Sequence, residues 1–491
     1  MKTRLLFRDH DLSLPALQPR SEELRRDLGV DRLLAVMSGG GNGRAGDDSV
    51  YRVAEAMLLG GAATAEDIRY RHAVLRDCLA HPGEVAELRR IAAEAVERER
   101  HNYFGLFTRA TPDKVLYRSL DVLDMFLDAF GELRRAADRF AARFVSEGFA
   151  AFFGCIAEDL GDSYLTQVRT QLKDLRFDRG EIVSARLGPG AHGIGYALRR
   201  PQGGWRRHGR SGLDVDVESP SGPDALAALT GRGIRTAADA LAQAAEHVAV
   251  YFQTIADELG FYAAAVNLIG ELDAHRVPWC LPEPATAGVT CRGLYDPALA
   301  LRQPLVGNDI DAHGRPVIVI TGANHGGKTT LLRALGLAAL MARCGMPVAA
   351  VDFRGPLHPQ VFTHFSGDVG DEAGRLDEEL ARMSRIADLV RPGDLLLCNE
   401  SLASTNEREG AALARGVVDA MRDAGVSVVY VTHMYELAHG LHESGDARHA
   451  FLRAERLPGG DRTFRLLPGE PLATSYGDDL YRRIFGVTAG V

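Results

Sequence analysis

The ten residues TGANHGGKTT, from Thr321 to Thr330, constrain the fold more than any other stretch of this 491-residue chain. They fit the pattern G-x-x-x-x-G-K-[ST], in which a glycine-rich loop surrounds the phosphates of a nucleotide. The apolar run VIVI precedes the loop, and LLRALGLAALM after it reads as a helix. A buried strand, a tight turn and a helix amino terminus place backbone N–H groups around an anion. The sequence therefore predicts an α/β domain that binds phosphate.

Within this loop, each residue type has a physical role. Lys328 would reach the β- and γ-phosphates, and the Thr329 hydroxyl would hold Mg²⁺. The chain uses arginine at nearly all other basic positions, so a lysine here indicates a need for a compact charge on a slim stem. The predicted nucleotide-contacting residues are Gly322, Ala323, Asn324, His325, Gly326, Gly327, Lys328, Thr329 and Thr330.

Two further apolar runs end in side chains suited to nucleotide hydrolysis. DLLLCNES, at 394–401, places Asn399 and Glu400 directly after a predicted strand, and VVYV is followed by Thr432 and His433. Glu400 is the predicted catalytic carboxylate that polarises the attacking water, and His433 the predicted contact to the γ-phosphate. Asn399 stands beside the predicted Mg²⁺ with Thr329. Its neutral amide lowers the negative charge around the ion, which predicts slow turnover.

The whole-chain properties bound the class of protein. A chain of this length exceeds one hydrophobic core and predicts several domains. The net charge of −9 means that any binding of a polyanion depends on local patches. The cysteines form no CxxC pair, which favours buried thiols over zinc. No apolar run approaches the ~20 residues of a membrane span, and the amino terminus does not read as a secretion signal, so we expect a cytoplasmic protein.

The first half of the chain has a helical pattern. Apolar residues recur in four-three spacing at Leu116, Leu120, Leu123, Leu127 and Phe130, which predicts a long helix packed on a neighbour. Helical pattern returns over residues 237–259 and resumes past Gly260. Phe130, in the tripeptide Phe130-Gly131-Glu132, lies in this apolar seam, which indicates a core phenylalanine.

An arginine-rich segment interrupts this helical region at about 177–233, where glycine and proline increase and short strands are expected. Between Ile182 and Leu213 there are arginines and no acidic residue. This is the best local candidate for binding a nucleic-acid backbone. A solvated hairpin that merely carries arginine is an equally good interpretation. The candidate DNA contacts are Arg199, Arg200, Arg206, Arg207 and Arg210.

Taken together, these stretches resemble the MutS family, the ABC-type ATPases of DNA mismatch repair. TGANHGGKTT is similar to the family's TGPNMGGKST, and THMYELA at 432–438 to its THYFEL. SLASTNEREG after Glu400, PLVGND at 304–309, FSGDVGDEAGRLDEEL at 365–380 and the SYG-containing tail at 464–486 are also similar to family stretches. The likeness is specific from about residue 294 to 486 and weaker over the helical half.

The resemblance implies a multidomain fold, with an α-helical lever and core region followed by a P-loop α/β ATPase domain of ABC type. We expect an N-terminal segment at 1–47, a helical domain at 48–275 and an ATPase domain with a helical tail at 276–491. It also implies ATP and Mg²⁺ as cofactors, Glu400 as general base, His433 as γ-phosphate sensor, and a homodimer with composite sites. We expect no room ahead of the core for the family's mismatch-recognition domain. The Phe-x-Glu wedge motif of that domain has one literal match here, Phe130-Gly131-Glu132, whose place in the apolar seam indicates a core residue instead.

Three positions depart from the family pattern. Leu305 stands where the family has an aromatic residue that stacks on adenine. Gly374 stands in the register of the signature serine that reaches the partner's nucleotide, and Asn399 replaces an aspartate. Each change weakens hydrolysis more than nucleotide binding.

Two functions of different classes remain open at this point. The first is an ATP-gated DNA clamp in mismatch repair or recombination that binds DNA shape or backbone without a mismatch wedge. The second is a nucleotide switch with slow hydrolysis that acts on a ribonucleoprotein or protein partner. A P-loop kinase is disfavoured, because it needs neither the His433 element nor the long helices.

Overall fold

A computed structural model describes residues 2–40, 45–102, 111–176, 182–187, 189, 193–199, 222–323, 325–366, 372–457 and 462–472. The contacts divide the chain into two compact units. One contains residues 1–12 and 80–259, and the other contains residues 13–79 and 260–491. Residues 13–79 thus belong to the same unit as the glycine loop. The domain boundaries at 47 and 275 stay a prediction.

Helices dominate the described residues up to 274. They are α1 (Ser21–Leu28), α2 (Val30–Met37), α3 (Asp48–Leu59), α4 (Ala65–Ala80), α5 (Pro82–Asn102), α6 (Pro112–Phe140), α7 (Glu147–Asp159), α8 (Asp162–Asp174) and α9 (Gly222–Ala274). A single-turn 3₁₀ helix, Ala141–Arg143, follows α6. Strands β1 (Ile182–Leu187) and β2 (Gly193–Arg199) pair antiparallel between α8 and α9.

Helix α6 packs through four of its five predicted seam residues, and the fifth, Leu123, is only partly buried. Leu116, Leu120 and Phe130 are buried, and the ring of Phe130 lies 4.8 Å from that of Phe252 on α9. Phe130 is thus a core residue. The two helical stretches expected around Gly260 form the single helix α9. The helix continues through Gly260 because the apolar residues beside it, Leu259 and Phe261, are fully buried and their packing stabilises the helix.

The chain from residue 283 onward forms an α/β sheet domain. Its elements are β3 (Glu283–Ala285), β4 (Thr290–Leu294), α10 (Pro297–Ala300), β5 (Asn308–Asp311), β6 (Val317–Thr321), α11 (Lys328–Cys344), β7 (Asp352–Pro356), β8 (Val361–Phe365), α12 (Glu372–Ala387), β9 (Leu395–Asn399), α13 (Glu407–Asp423), β10 (Ser427–Val431), α14 (Tyr435–Glu443), β11 (His449–Arg456) and β12 (Arg462–Pro468). Multidomain architecture with a helical region and an α/β domain is therefore present.

The main sheet has six strands in the order β12-β11-β6-β10-β9-β8. All neighbours are parallel except β12, which pairs antiparallel with β11. Alternate strand residues such as Val319, Leu396 and Tyr430 point into one core with the apolar faces of α12, α13 and α14. A second sheet has the order β3-β7-β4-β5, and α11 packs against strands of both sheets. A sheet covered on both faces explains the continuous apolar runs of its central strands.

The first helices are part of this sheet-containing unit through buried polar contacts. The Gln18 side chain donates to the carbonyl of Val361 at 2.5 Å, and the Thr363 hydroxyl donates to Asp27 at 2.7 Å. Helix α1 therefore lies along the edge strand β8. Sequence periodicity gave no indication of this, since each contact spans more than 300 residues. Nowhere in the described part of the chain is a helix both long and apolar enough to cross a bilayer.

Arg343, in the last turn of α11, is fully buried and joins two segments of this unit. Its guanidinium donates to the carbonyl of Leu58 at 2.8 Å and to the carbonyl of Pro359 at 2.9 Å. Burial lowers its pKa to about 10, so it stays charged at neutral pH. We predict that Arg343→Met lowers the free energy of unfolding by about 3 kcal/mol, because two buried carbonyls lose their donors.

Urea denaturation followed by circular dichroism measures this loss. The matched control is Arg385→Met, which removes an exposed arginine from the last turn of α12 and should change the free energy by less than about 0.5 kcal/mol. Equal effects of the two substitutions would contradict a structural role for the Arg343 guanidinium.

Candidate functional site

The candidate site lies where three neighbouring parallel strands end. β10 pairs with β6 on one side and with β9 on the other, with Val431 opposite Ile320 and Asn399. Because parallel strands end at the same edge of a sheet, the loops that follow them meet there. The sheet therefore brings the loop after Thr321, the turn after Asn399 and the turn after Val431 together.

The glycine loop adopts a conformation that requires glycine at two of its positions. Gly322 has φ of 126°, and a Cβ there would lie 2.6 Å from the Cβ of Ala454. Gly327 has φ of 92° and directly precedes α11. These backbone angles favour glycine, since a side chain would clash or strain the chain. The loop thus ends at the amino terminus of a helix of 17 residues, as a phosphate site requires.

Lys328 is held inside this loop. Its side chain is only 5% exposed, and Nζ donates to the carbonyls of Gly322 at 2.7 Å and Ala323 at 3.2 Å. Nζ also lies 3.9 Å from a carboxylate oxygen of Glu400. Burial lowers the pKa of Lys328, while Glu400 opposes the shift. The ammonium is therefore desolvated and placed inside the loop, where its electrostatic attraction for a bound anion is stronger than in water.

Thr329 and Asn399 form the part of the site that suits a magnesium ion. The Thr329 hydroxyl donates to the Asn399 side-chain oxygen at 3.0 Å. Among the described residues, no group of three His, Cys, Asp or Glu side chains could hold a metal. The oxygen donors here fit Mg²⁺, which keeps several waters and binds through one or two protein oxygens and substrate phosphates.

Glu400 and His433 form an ion pair at the same edge. His433 Nδ1 lies 3.7 Å from a carboxylate oxygen of Glu400. The contact with His433 lowers the pKa of Glu400, and the contact with Glu400 raises the pKa of His433. Both side chains are partly exposed, so they face the opening of the site. At neutral pH the Glu400 carboxylate is ionised and can accept a proton or orient a water.

The backbone around Glu400 is strained. Glu400 has φ of 51° and Leu402 has φ of 59°, the left-handed region that non-glycine residues rarely occupy. Each such residue costs on the order of 1 kcal/mol or more, and it persists where the surrounding structure fixes it. The turn that presents the predicted catalytic carboxylate is therefore held in place by its neighbours.

A cavity of about 500 Å³ adjoins these residues and extends beyond the loop. Its lining includes the polar side chains of Lys328, Thr329 and Glu400. Two segments far apart in sequence, 303–306 and Phe464 of β12, form its apolar walls. Leu305 lies in the first of these walls. The cavity therefore offers both charged and apolar lining to a ligand.

Phe464 is the residue of this cavity that sequence reasoning missed. Its side chain is 50% exposed and its φ is 59°. Asn308 of β5, which is buried, ties the two walls together. Its amide donates to the carbonyls of Val306 at 3.4 Å and Phe464 at 3.3 Å and accepts from the Leu466 N–H at 2.7 Å. Phe464 opens the stretch at 464–486, and its local sequence pattern gave no signal of a place in the cavity.

The remaining predicted residues lie elsewhere or outside the described part. Gly374 is exposed near the start of α12, and a Cβ there would meet no atom within 4 Å. Arg199 ends strand β2, and its side chain is not described. Asn324 of the glycine loop lies outside the described residues, and so do four of the candidate DNA contacts, Arg200, Arg206, Arg207 and Arg210. Their assigned roles remain predictions.

Comparison with known proteins shows what this chain is similar to. Residues 63–275 match the MutS2 N-terminal domain, and residues 318–477 match MutS domain V. A protein named Endonuclease MutS2 from Anaeromyxobacter sp. (strain Fw109-5) is 34% identical over 45% of this chain and 29% of its own length. One of the same name from Geobacillus kaustophilus is 36% identical over 41% of this chain and 26% of its own length.

A longer match is to Endonuclease MutS2 from Streptococcus pyogenes serotype M18, which is 28% identical over 73% of this chain and 48% of its own length. The matched part of this chain thus spans less than half the length of these relatives. The two domain matches cover the helices from α4 to α9 and the main sheet with its glycine loop.

The Glu400–His433 pair predicts a measurable titration. Without nucleotide, the pKa of His433 should lie above its ordinary value of 6.5, and Glu400→Gln should lower it. The same contact makes stability depend on pH. Because the pKa of His433 is higher in the folded state, the charged imidazole stabilises the fold below pH 6.5, and this stabilisation is lost as the pH rises through the folded pKa. Because the pKa of Glu400 is lower in the folded state, the carboxylate stabilises the fold above pH 4.5, and this stabilisation is lost as the pH falls through the folded pKa.

Nuclear magnetic resonance of the imidazole, assigned with His433→Gln, gives the pKa. Glu407→Gln is the control. Glu407 also raises the pKa of His433, but by less than Glu400 does, so its removal should change the pKa less. An unchanged His433 pKa in Glu400→Gln would show that the two side chains do not interact in solution.

Proposed function

We propose that this chain, which belongs to the MutS family, binds and hydrolyses ATP and binds DNA. One observation carries the catalytic part of the proposal. One edge of the parallel sheet brings together the start of α11 (Lys328 and Thr329), the end of β9 (Asn399 and Glu400) and His433 after β10. A P-loop ATPase domain of the ABC type uses this arrangement of phosphate loop, carboxylate and histidine.

The chemistry follows from the positions of these side chains. The Lys328 ammonium exchanges its two carbonyl partners for the β- and γ-phosphate oxygens of ATP, and the N–H groups at the start of α11 bind the same phosphates. Thr329 and Asn399 would hold Mg²⁺, which supplies charge neutralisation for the phosphates. Glu400 accepts the proton of the attacking water, and His433 lies 3.7 Å from it, where it can contact the γ-phosphate.

The proposed base site uses Phe464 in place of the missing aromatic at Leu305. Both residues line the same cavity, and Asn308 fixes the backbone of the segments that carry them. A half-exposed aromatic ring on one wall offers a stacking surface for adenine. Nucleotide binding is therefore retained despite Leu305, whereas hydrolysis is slowed by the neutral Asn399 and by the missing hydroxyl at Gly374.

The DNA-binding part of the proposal is supported by family membership and by the charge of the segment at 177–233. The family resemblance also supports a homodimer with composite ATP sites. Binding of ATP would then favour one conformation of the dimer over another and so change its affinity for DNA, as in a clamp of mismatch repair or recombination. A nucleotide switch that acts on a ribonucleoprotein or protein partner is the alternative, favoured by the three departures that slow hydrolysis.

Steady-state ATP hydrolysis tests this function directly. The wild type is assayed alone and with plain duplex, mismatched duplex and a branched junction. We expect stimulation by at least one DNA form, a rate reduced roughly 100-fold in Glu400→Gln, and no ATP binding by Lys328→Met. The double variant Arg206→Ala/Arg207→Ala should bind DNA more weakly, and its DNA affinity should depend less on salt concentration. Its affinity for ATP should stay at the wild-type value.

The outcomes separate the two functions. Tight ATP binding with a low rate that no DNA form changes would reject the DNA clamp and favour the switch with another partner. A wild-type rate equal to that of Glu400→Gln would reject the assignment of Glu400 as the general base.

The base site predicts a separate effect of Phe464. We expect Phe464→Ala to weaken ATP binding about tenfold, because stacking of a base on an aromatic ring contributes ~1–3 kcal/mol. Affinity for inorganic tripolyphosphate should not change, since that ligand has no base. Isothermal titration calorimetry with both ligands measures the difference.

The control is Leu467→Ala, which removes an exposed apolar side chain from the same strand. A loss of tripolyphosphate affinity equal to the loss for ATP would show that Phe464 supports the loop and does not contact the base.

A further inference from the structure

The turn that follows Glu400 is fixed by buried side chains from three other elements. Ser401 is fully buried between the two left-handed residues Glu400 and Leu402. The Glu400 N–H donates to the carbonyl of Val431 at 2.9 Å, which places the residue against the end of β10. The direction of the Glu400 carboxylate therefore depends on how Ser401 and Leu402 are held.

Two side chains of the sheet contact Ser401. The Tyr430 hydroxyl, on β10, donates to the Ser401 carbonyl at 2.5 Å. His364, on β8, has Nδ1 2.8 Å from the Ser401 hydroxyl oxygen and Nε2 3.0 Å from the backbone carbonyl of Glu379. All three side chains are buried. The serine is thus enclosed by strands on both sides of β9.

The imidazole is neutral in this network. Burial lowers the pKa of His364 to about 4. In the neutral tautomer with a hydrogen on Nε2, the ring donates to the Glu379 carbonyl and Nδ1 lies 2.8 Å from the Ser401 hydroxyl oxygen. The Ser401 hydroxyl donates to the carbonyl oxygen of His364 at 2.5 Å.

Glu379 makes the contact that reaches across from α12. A carboxylate oxygen of Glu379 accepts from the Leu402 N–H at 2.6 Å, and the side chain is only 4% exposed. The same residue uses its backbone carbonyl to accept from His364. The side chain of Glu379 thus holds the N–H of Leu402, whose backbone is strained, and its main chain holds the His364 ring that contacts Ser401.

We propose that Glu379 is a positioning residue for Glu400, acting through the Leu402 N–H to hold the turn that aims the catalytic carboxylate. This inference rests on the proposed ATP hydrolysis. Without an acceptor at Glu379, Leu402 can leave the left-handed conformation, and the turn can then rotate Glu400 away from Lys328 and His433. Nucleotide binding depends on the glycine loop, in which the carbonyls of Gly322 and Ala323 hold Lys328.

The test compares three variants for ATP affinity, turnover and hydrogen exchange of the peptide that contains Leu402. Glu379→Ala removes the acceptor, and Glu379→Gln keeps one. Glu378→Ala is the matched control, since Glu378 is the exposed neighbour on the same helix. We expect Glu379→Ala to lower kcat roughly 10- to 100-fold with unchanged ATP affinity and to speed exchange at residues 400–403.

Glu379→Gln should restore most of the turnover and the slow exchange, and Glu378→Ala should match the wild type. Unchanged kcat or unchanged exchange in Glu379→Ala would overturn the inference. A fall in ATP affinity or faster exchange throughout α11 would also overturn it, because Glu379 would then be a general stability residue. If wild-type hydrolysis does not exceed that of Glu400→Gln, the proposed function fails and this inference falls with it.

Discussion

The parallel pairing of β10 with β6 and β9 places every candidate catalytic group. The loop with Lys328, the turn with Glu400 and the turn with His433 are far apart in sequence, and each begins where one of these strands ends. A slip of one residue in either register would turn the side chains at the strand ends to the other face of the sheet. Apolar packing on both faces opposes such a slip, because alternate residues such as Val319 and Tyr430 belong to a closed core.

Burial and close pairing then determine the charge states of the side chains at this edge of the sheet. Lys328 is desolvated and held by two carbonyls, while Glu400 gains His433 as its partner. The resulting cluster combines a cation inside the loop with an ionised carboxylate and a histidine at its opening. The strain at Glu400 and Leu402 is consistent with this arrangement, since strained backbone is common where a turn must aim one side chain. The buried contacts of Ser401 supply the constraint that such a turn requires.

Much of this edge could be predicted from the sequence, because the relevant patterns are local. The glycine loop, its strand and its helix occupy one continuous segment, and Asn399, Glu400 and His433 each follow an apolar run that reads as a strand. The apolar seam of α6 could also be predicted, because its four-three spacing is repeated within a single helix. The arginine-rich segment was identified by composition alone, and its role stays a prediction because most of it lies outside the described residues.

The sequence by itself marked the glycine loop and the strand ends that carry the candidate groups, through short patterns of apolar and glycine residues. Only the tertiary structure decided which distant groups meet. Asn308 contacts Phe464 across 156 positions, and Thr363 contacts Asp27 across 336. Glu379 reaches Leu402 from a different element. No periodicity or spacing encodes such contacts, because they arise only when helices and strands pack and leave buried polar groups that must find partners.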